Sequence, residues 1–183
     1  AAPTPTSRKA PRDRASLTKF INPYFAALIA NDAGALRQAA RAPITENGAE
    51  KKLADTFWDG AQSIAYRFDI VNLNRGDTGT ETVIVNADGS KTMHMLRLKV
   101  ANGAITEIET IKANRGEADR LWDPDRLSSV SPDLQLSIRE AERDSYYRLI
   151  AVAEGYWRAF QTNGTPDYHP ADLMPDTQRF ENG

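Results

Sequence analysis

Four strand-like segments separated by short turns constrain the fold of this chain more than any other feature. The segments are residues 64–71, 80–86, 92–100 and 104–112. Each shows alternating polarity or a β-branched run, which is typical of strands. Asp88-Gly89 and Asn102-Gly103 are dipeptides that favour tight hairpin turns. Because tight turns return the chain beside itself, the pattern predicts an antiparallel meander.

Helices are predicted before the meander. Apolar residues recur at steps of three and four between Leu17 and Leu28, which indicates one buried helix face. Pro23 is expected to kink this helix, or to restart it with Asn22 as the N-cap. Asp32 can cap a second, short helix. Helices followed by an antiparallel meander favour an α+β fold over an α/β fold.

The tripeptide Glu-Asn-Gly occurs at residues 46–48 and again at 181–183, each time after a helical segment. The helix before the second copy is predicted over residues 136–161. Flanking residues also match, since Tyr24-Phe25 aligns with Tyr156-Trp157. The predicted organisation is a disordered arm (1–14), a complete domain (15–114), a linker (115–142) and a partial second repeat (143–183).

Composition excludes several classes of function. The chain has 183 residues, a net charge of −2 and no cysteine. The balanced charge argues against nucleic acid as a partner. No apolar run is long enough to span a bilayer, so no membrane association is predicted. Without cysteine, and with its two histidines far apart, a metal site is not expected. The Ala-Ala-Pro start suggests a cleaved secretory signal, so a secreted or periplasmic location is expected, with a cytoplasmic one as the alternative.

Several short segments between Leu17 and Ala113 carry a more specific pattern. They are residues 24–28, 31–32, 45–48, 57–58, 66–67, 96–100 and 105–110. With the helix-then-meander order, they resemble the nuclear transport factor 2-like superfamily, which includes SnoaL-like and ketosteroid-isomerase-like proteins. The resemblance is to an uncharacterised, often secreted branch, some of whose members carry tandem repeats. It implies a cone-shaped curved sheet packed on N-terminal helices, with a ligand pocket between them. The branch usually has an acid near the end of the Tyr66 strand, where this chain has Asn72.

Three residues are the candidates for catalysis in such a pocket. His94 alternates in register with Leu96 and Leu98, so its imidazole should face the apolar interior and could act as acid or base. Glu109 is expected to orient the histidine or to act as the base, and Tyr66, or alternatively Tyr24, to donate a hydrogen bond to the developing oxyanion. The alternatives are a core histidine and a solvated Glu109 that pairs with Arg97 or Lys99 across strands.

Four further residues are predicted to bind the substrate. Tyr24 and Trp58 would supply aromatic surface, whereas Glu46 and Asn47 would line the pocket mouth. The alternative for the aromatic pair is a role in the core. For Glu46 and Asn47 it is a role in a turn.

Two functions follow from this sequence. The first is a small-molecule-binding protein with cofactor-free acid/base chemistry, of isomerase, lyase or hydratase type, on an apolar or aromatic compound. The second is a non-catalytic ligand-binding or assembly module. A homo-oligomer, or a contact through the helix at 143–163, is a further expectation because the apolar stripe of that helix needs cover. An open pocket would favour the enzyme, whereas a cone filled by Met93, Met95 or aromatic residues would favour the module.

Overall fold

A six-stranded sheet organises the N-terminal part of the chain. The computed structural model describes residues 13–39, 41–116 and 123–161, and the chain divides between Val130 and Ser131 into two units. The strands are β1 (Ile44–Glu46), β2 (Ala49–Lys51), β3 (Ala61–Asn72), β4 (Asp77–Asn86), β5 (Lys91–Ala101) and β6 (Ala104–Asn114). Their order in the sheet is β2-β1-β6-β5-β4-β3. The β1–β6 pair is parallel and the other pairs are antiparallel, so the predicted meander is confirmed for β3 to β6.

Three short helices belong to the same unit: α1 (Arg14–Thr18), α2 (Ile21–Ile29) and α3 (Leu53–Thr56). Asp13 caps α1, accepting from the backbone amide of Ser16, so part of the predicted arm is ordered. Residues 1–12 lie outside the described residues. The predicted helix divides before Pro23, with Phe20 rather than Asn22 at the N-cap. Proline can occupy the first turn of a helix because the backbone amides of that turn have no acceptor within the helix, so no hydrogen bond is lost.

Helices α1 and α2 pack on one face of the sheet, which we call the inner face. Helical residues such as Leu17, Tyr24 and Leu28 form one buried cluster with Ile84 of β4 and Leu96 of β5. Burying each large apolar side chain contributes about 1.5–3 kcal/mol, so this cluster holds the helices on the sheet. The α+β architecture expected from the sequence, with helices against a curled, unclosed sheet, is confirmed.

Three register shifts interrupt the sheet, one of them between Ala61 and Ser63. The other two change which of the predicted site residues share a face. In β3, Ile64 pairs with Ile84 and Tyr66 pairs with Val83, so β3 advances two residues while β4 advances one. Between β5 and β6 a second shift lies at Lys99. A bulge inserts an unpaired residue and so reverses the faces that simple alternation would assign. As a result, Ile64 packs with the inner cluster, whereas Tyr66 belongs to a separate cluster on the opposite, outer face.

Between residues 131 and 161, the described part of the second unit contains one α-helix, α4 (Tyr146–Arg158). The helix predicted from residue 136 therefore starts ten residues late, because Ser145 caps it by accepting from the Arg148 amide. Short 3₁₀ turns at Pro132–Gln135 and Glu140–Glu142 precede it. The partial second repeat remains a prediction, since residues 181–183 lie outside the described residues.

Asn47 extends the β1–β6 pairing beyond the end of β1. It has a positive φ of 50°, its side-chain amide donates to the Lys112 carbonyl (3.0 Å), and its side-chain oxygen accepts from the Lys112 amide (2.8 Å). We expect Asn47→Gly to lower the free energy of unfolding by about 1–2 kcal/mol through loss of these bonds. Asn47→Ala should cost roughly 1 kcal/mol more, because alanine is strained at positive φ.

Denaturant unfolding measures both changes. Asn102→Gly is the matched control, since Asn102 also has a positive φ, of 53°, in a hairpin turn. It should change stability much less, because its side chain makes no comparable hydrogen bonds to a strand among the residues that the structure describes. Equal losses for the two glycine variants would contradict the role given to the Asn47 side chain.

Candidate functional site

His94 lies at the centre of the inner face and is fully buried. Its ring is surrounded by three aromatic rings. The ring centroids are 6.0 Å away for Tyr24, which is stacked, and 5.9 Å away for both Phe25 and Trp58. Phe57 completes this group by an edge contact with Tyr24 at 5.5 Å. The prediction that His94 faces the interior is confirmed, and the interior around it is packed with aromatic residues.

Several buried polar atoms near His94 make no hydrogen bond of ordinary geometry with the described residues. They are both ring nitrogens of His94, the hydroxyl of Tyr24 and Oε2 of Glu46. An unpaired buried polar group costs about 1–3 kcal/mol, so most such groups in native proteins have a partner. These atoms therefore mark a place where a hydrogen-bonding molecule would be stabilising.

Burial sets the ionisation of this group. It lowers the pKa of His94 to about 4, and the positive charge of Lys112 acts in the same direction. The imidazole is consequently neutral at pH 7. Burial also raises the pKa of Tyr24, as does the nearby charge of Glu46. A weak hydrogen-bonding interaction with the Thr56 side chain partly opposes this rise. Both side chains thus offer neutral hydrogen-bonding groups.

Lys112 and Trp58 form the rim of this aromatic group. The Lys112 ammonium is 3.5 Å from Oε1 of Glu46 and 5.0 Å from the centroid of the Trp58 ring. The Trp58 indole donates to Oδ1 of Asn86 (2.9 Å), which fixes the plane of the ring. Outside the rim lies a pocket of about 470 Å³ that Trp58 and Lys112 line together with Asn86 and Thr92. Trp58 therefore contacts His94 on one side and borders this pocket on the other.

The structure does not bring the three predicted catalytic residues together. Tyr66 and Glu109 lie on the outer face, opposite His94. Glu109 pairs with Arg97, its Oε2 accepting from Nε of Arg97 at 2.8 Å, as the alternative interpretation anticipated. Without the bulge at Lys99, counting from the turn would pair Glu109 with inner-facing Leu96; the shifted register pairs it with Arg97 instead.

Of the four residues predicted to bind the substrate, three lie near His94 and one, Asn47, does not. Tyr24 and Trp58 contact His94, and Glu46 reaches the same region through Lys112. Asn47 directs its side chain to the backbone of β6, which matches the structural alternative. Their roles in binding remain predictions.

Sequence reasoning missed Lys112, which pairs directly with His94 across β5 and β6. Counting from the Asn102-Gly103 turn without a bulge would place Ile111 there, and Lys112 on the other face. Phe25 was also missed as a neighbour of His94. Its signal was present in the sequence, since Phe25 adjoins Tyr24 on the apolar helix.

No family model and no curated protein matches this chain. Solved structures with a similar fold include IdmH, a candidate polyketide cyclase from Streptomyces antibioticus. That match has 16% identity and a TM-score of 0.42, and covers 52% of this chain and 91% of that one. A candidate ketosteroid isomerase from Kribbella flavida has 11% identity, a TM-score of 0.45, and coverage of 74% and 100%.

A de novo designed protein with the nuclear transport factor 2 fold also matches, with 14% identity, a TM-score of 0.41, and coverage of 65% of this chain and 98% of that one. The names of these structures include the superfamily that the sequence resembles. The activities in those names belong to those proteins.

None of the described helices has the length and apolar character needed to cross a bilayer. Within the same part of the chain, no three residues of the types His, Cys, Asp or Glu are grouped so as to hold a metal ion.

The depressed pKa of His94 predicts a dependence of stability on pH. The unfolded state binds a proton near the ordinary pKa of 6.5 and the folded state only near 4. The stability linked to this group is therefore full above pH 6.5 and is lost as the pH falls towards 4, by about 3 kcal/mol. Relative to the wild type, His94→Leu should gain that amount between pH 6.5 and pH 4 in denaturant unfolding.

His169→Gln, which changes the second of the two histidines of the chain, is the control and should leave this difference in place. A stability difference between wild type and His94→Leu that stays constant from pH 7 to pH 4 would show that His94 titrates normally in the folded state.

Proposed function

We propose that this chain is a non-catalytic small-molecule-binding protein whose ligand contacts His94 and Tyr24 on the inner face. The observation that carries the proposal is that three neighbouring residues, Tyr24, Glu46 and His94, have buried polar atoms without a hydrogen bond of ordinary geometry among the described residues. Because each such atom costs free energy while it is unpaired, a ligand that hydrogen-bonds to them gains affinity from the removal of that cost.

The surroundings favour a neutral ligand with an apolar or aromatic body. Aromatic rings enclose His94, and such rings favour edge-to-face or offset contacts with another ring. A neutral imidazole can donate from one nitrogen and accept at the other, and the Tyr24 hydroxyl can do both. A hydroxyl or carbonyl group on an aromatic compound fits this set. A charged ligand would incur the cost of leaving water.

The position of Trp58 suggests how such a ligand would enter. Trp58 contacts His94 and also lines the pocket of about 470 Å³ beside Lys112. Movement of its indole together with Lys112 would therefore give a ligand in this pocket access to His94. The Lys112–Glu46 ion pair, whose side chains are 23% and 11% exposed, would have to separate in that movement.

Acid/base catalysis has less support from the geometry. A general base works best when its pKa lies near the working pH. Burial lowers the pKa of His94 to about 4, well below neutral pH. Glu109 and Tyr66, the predicted partners, face the other side of the sheet. The aromatic packing around His94 also meets the criterion that favours a module over an enzyme, although Met93 and Met95 take no part in it because they lie on the outer face.

A ligand panel tests this proposal. Phenol, acetophenone and 2-naphthol would be compared with toluene and naphthalene by thermal shift and calorimetry. We expect the hydrogen-bonding compounds to bind more tightly than their apolar analogues. Tyr24→Phe should weaken their binding by roughly twofold to tenfold, which corresponds to one hydrogen bond. Its stability should change by no more than about 1 kcal/mol, since the deleted hydroxyl makes no hydrogen bond of ordinary geometry among the described residues and interacts only weakly with the Thr56 side chain.

Tyr66→Phe is the matched control, because it removes the same atom from the outer face. It should leave affinity unchanged. Equal affinities for the wild type and Tyr24→Phe, or equal binding of phenol and toluene, would contradict the proposed site. Conversion of a bound compound that His94→Leu abolishes would instead support the isomerase, lyase or hydratase hypothesis.

A further inference from the structure

The outer face of the sheet is built from side chains in cross-strand rows. One row consists of Tyr66, Val83, Met93 and Ala113. Leu127 and Val130, from the segment after β6, pack over this row. The segment is also tied to the sheet by an ion pair between Lys91 and Asp125. The adjacent row has no such cover from residues 123–130.

That adjacent row consists of Phe68, Glu81, Met95 and Ile111, and it forms the floor of a groove of about 580 Å³. The groove also includes Ile70 and Gly79. Ile70, Met95 and Ile111 expose 55%, 43% and 56% of their surface. A Cβ atom on Gly79 would lie 3.0 Å from Cγ1 of Ile70, so the absence of a side chain at Gly79 helps to shape the groove.

Glu81 lies in this row between apolar neighbours on both sides. It pairs with Phe68 on β3 and Met95 on β5, and its carboxyl is about half buried. Among residues 13–39, 41–116 and 123–161, Glu81 takes part in no hydrogen bond or ion pair. An acid in apolar surroundings without a counter-ion is unusual, because burial disfavours its charge.

Arg97, one strand away on β5, does not supply that counter-ion. Its three nitrogens donate to other carboxylates: Nε to Glu109, Nη1 to Asp77 and Nη2 to Glu107, at 2.8, 3.1 and 2.8 Å. The guanidinium is therefore already matched by acids. The groove as a whole is lined by three carboxylates, Asp77, Glu81 and Glu109, and by one guanidinium.

We propose that this groove binds a small organic cation, with its ammonium group on the Glu81 carboxylate and its apolar body along Phe68, Met95 and Ile111. The excess of negative charge complements a cation, and the exposed apolar side chains complement its hydrocarbon part. The volume falls within the range of about 300–1,000 Å³ that is usual for small-molecule sites. Burial raises the pKa of Glu81, and a bound cation would lower it again.

This groove is separate from the His94 site, since the two lie on opposite faces of the sheet. The inference does not depend on the function proposed above, and either can fail without the other.

Three compounds with the same hydrocarbon chain test the inference on the full chain. Hexylammonium, 1-hexanol and hexanoate would be titrated at pH 7, followed by calorimetry and by the methyl resonances of Met95 and Ile111. We expect hexylammonium to bind at least tenfold more tightly than hexanol, and hexanoate not to bind. Glu81→Gln should reduce the affinity for hexylammonium at least tenfold without unfolding the protein, because it removes an unpaired charge.

Glu50→Gln, at an exposed position on β2, is the control and should leave the affinity unchanged. Gly79→Val should weaken both hexylammonium and hexanol, since its side chain would crowd Ile70. Equal affinities for hexylammonium and hexanol, an unchanged affinity in Glu81→Gln, or resonance shifts away from Met95 and Ile111 would each overturn the inference.

Discussion

Two β-bulges decide which side chains of this protein can meet. Side chains alternate between the faces of a strand, so only residues of one face can form a site together. The bulge after Ile64 separates that residue from Tyr66, and the one at Lys99 sends Glu109 outwards. The same shift at Lys99 brings Lys112 opposite His94. The aromatic site and the outer groove both follow from these two local irregularities.

The two faces of the sheet differ in whether their polar side chains are hydrogen-bonded. On the outer face, Arg97 is surrounded by carboxylates that satisfy its donors. On the inner face, aromatic rings enclose His94, and neither ring nitrogen has a hydrogen-bond partner among the described residues. Burial lowers the pKa of His94, so the imidazole stays neutral. Burial of an unpaired imidazole lowers stability. Its position among Tyr24, Phe25 and Trp58 is the basis of the ligand site proposed above.

Much of the fold could be predicted because its signals are local. The turns at Asp88-Gly89 and Asn102-Gly103, and the strands that they join, lie where the sequence places them. The inward orientation of His94 followed from its alternation with Leu96. The site could be predicted only in part. Tyr24 and Trp58 do reach His94, whereas Tyr66 and Glu109 were assigned to the wrong face because alternation was extended through bulges that the sequence does not mark.

The sequence by itself determined the order of helices and strands, the hairpin turns and the inward position of His94, because these depend on residues close together in the chain. The tertiary structure decided the register between strands, and therefore which residues lie opposite His94 and Glu81 on the neighbouring strands. It also decided that His94 is enclosed by aromatic rings and that an apolar, acidic groove lies on the other face. Register and burial depend on contacts between distant segments, and no local pattern specifies them.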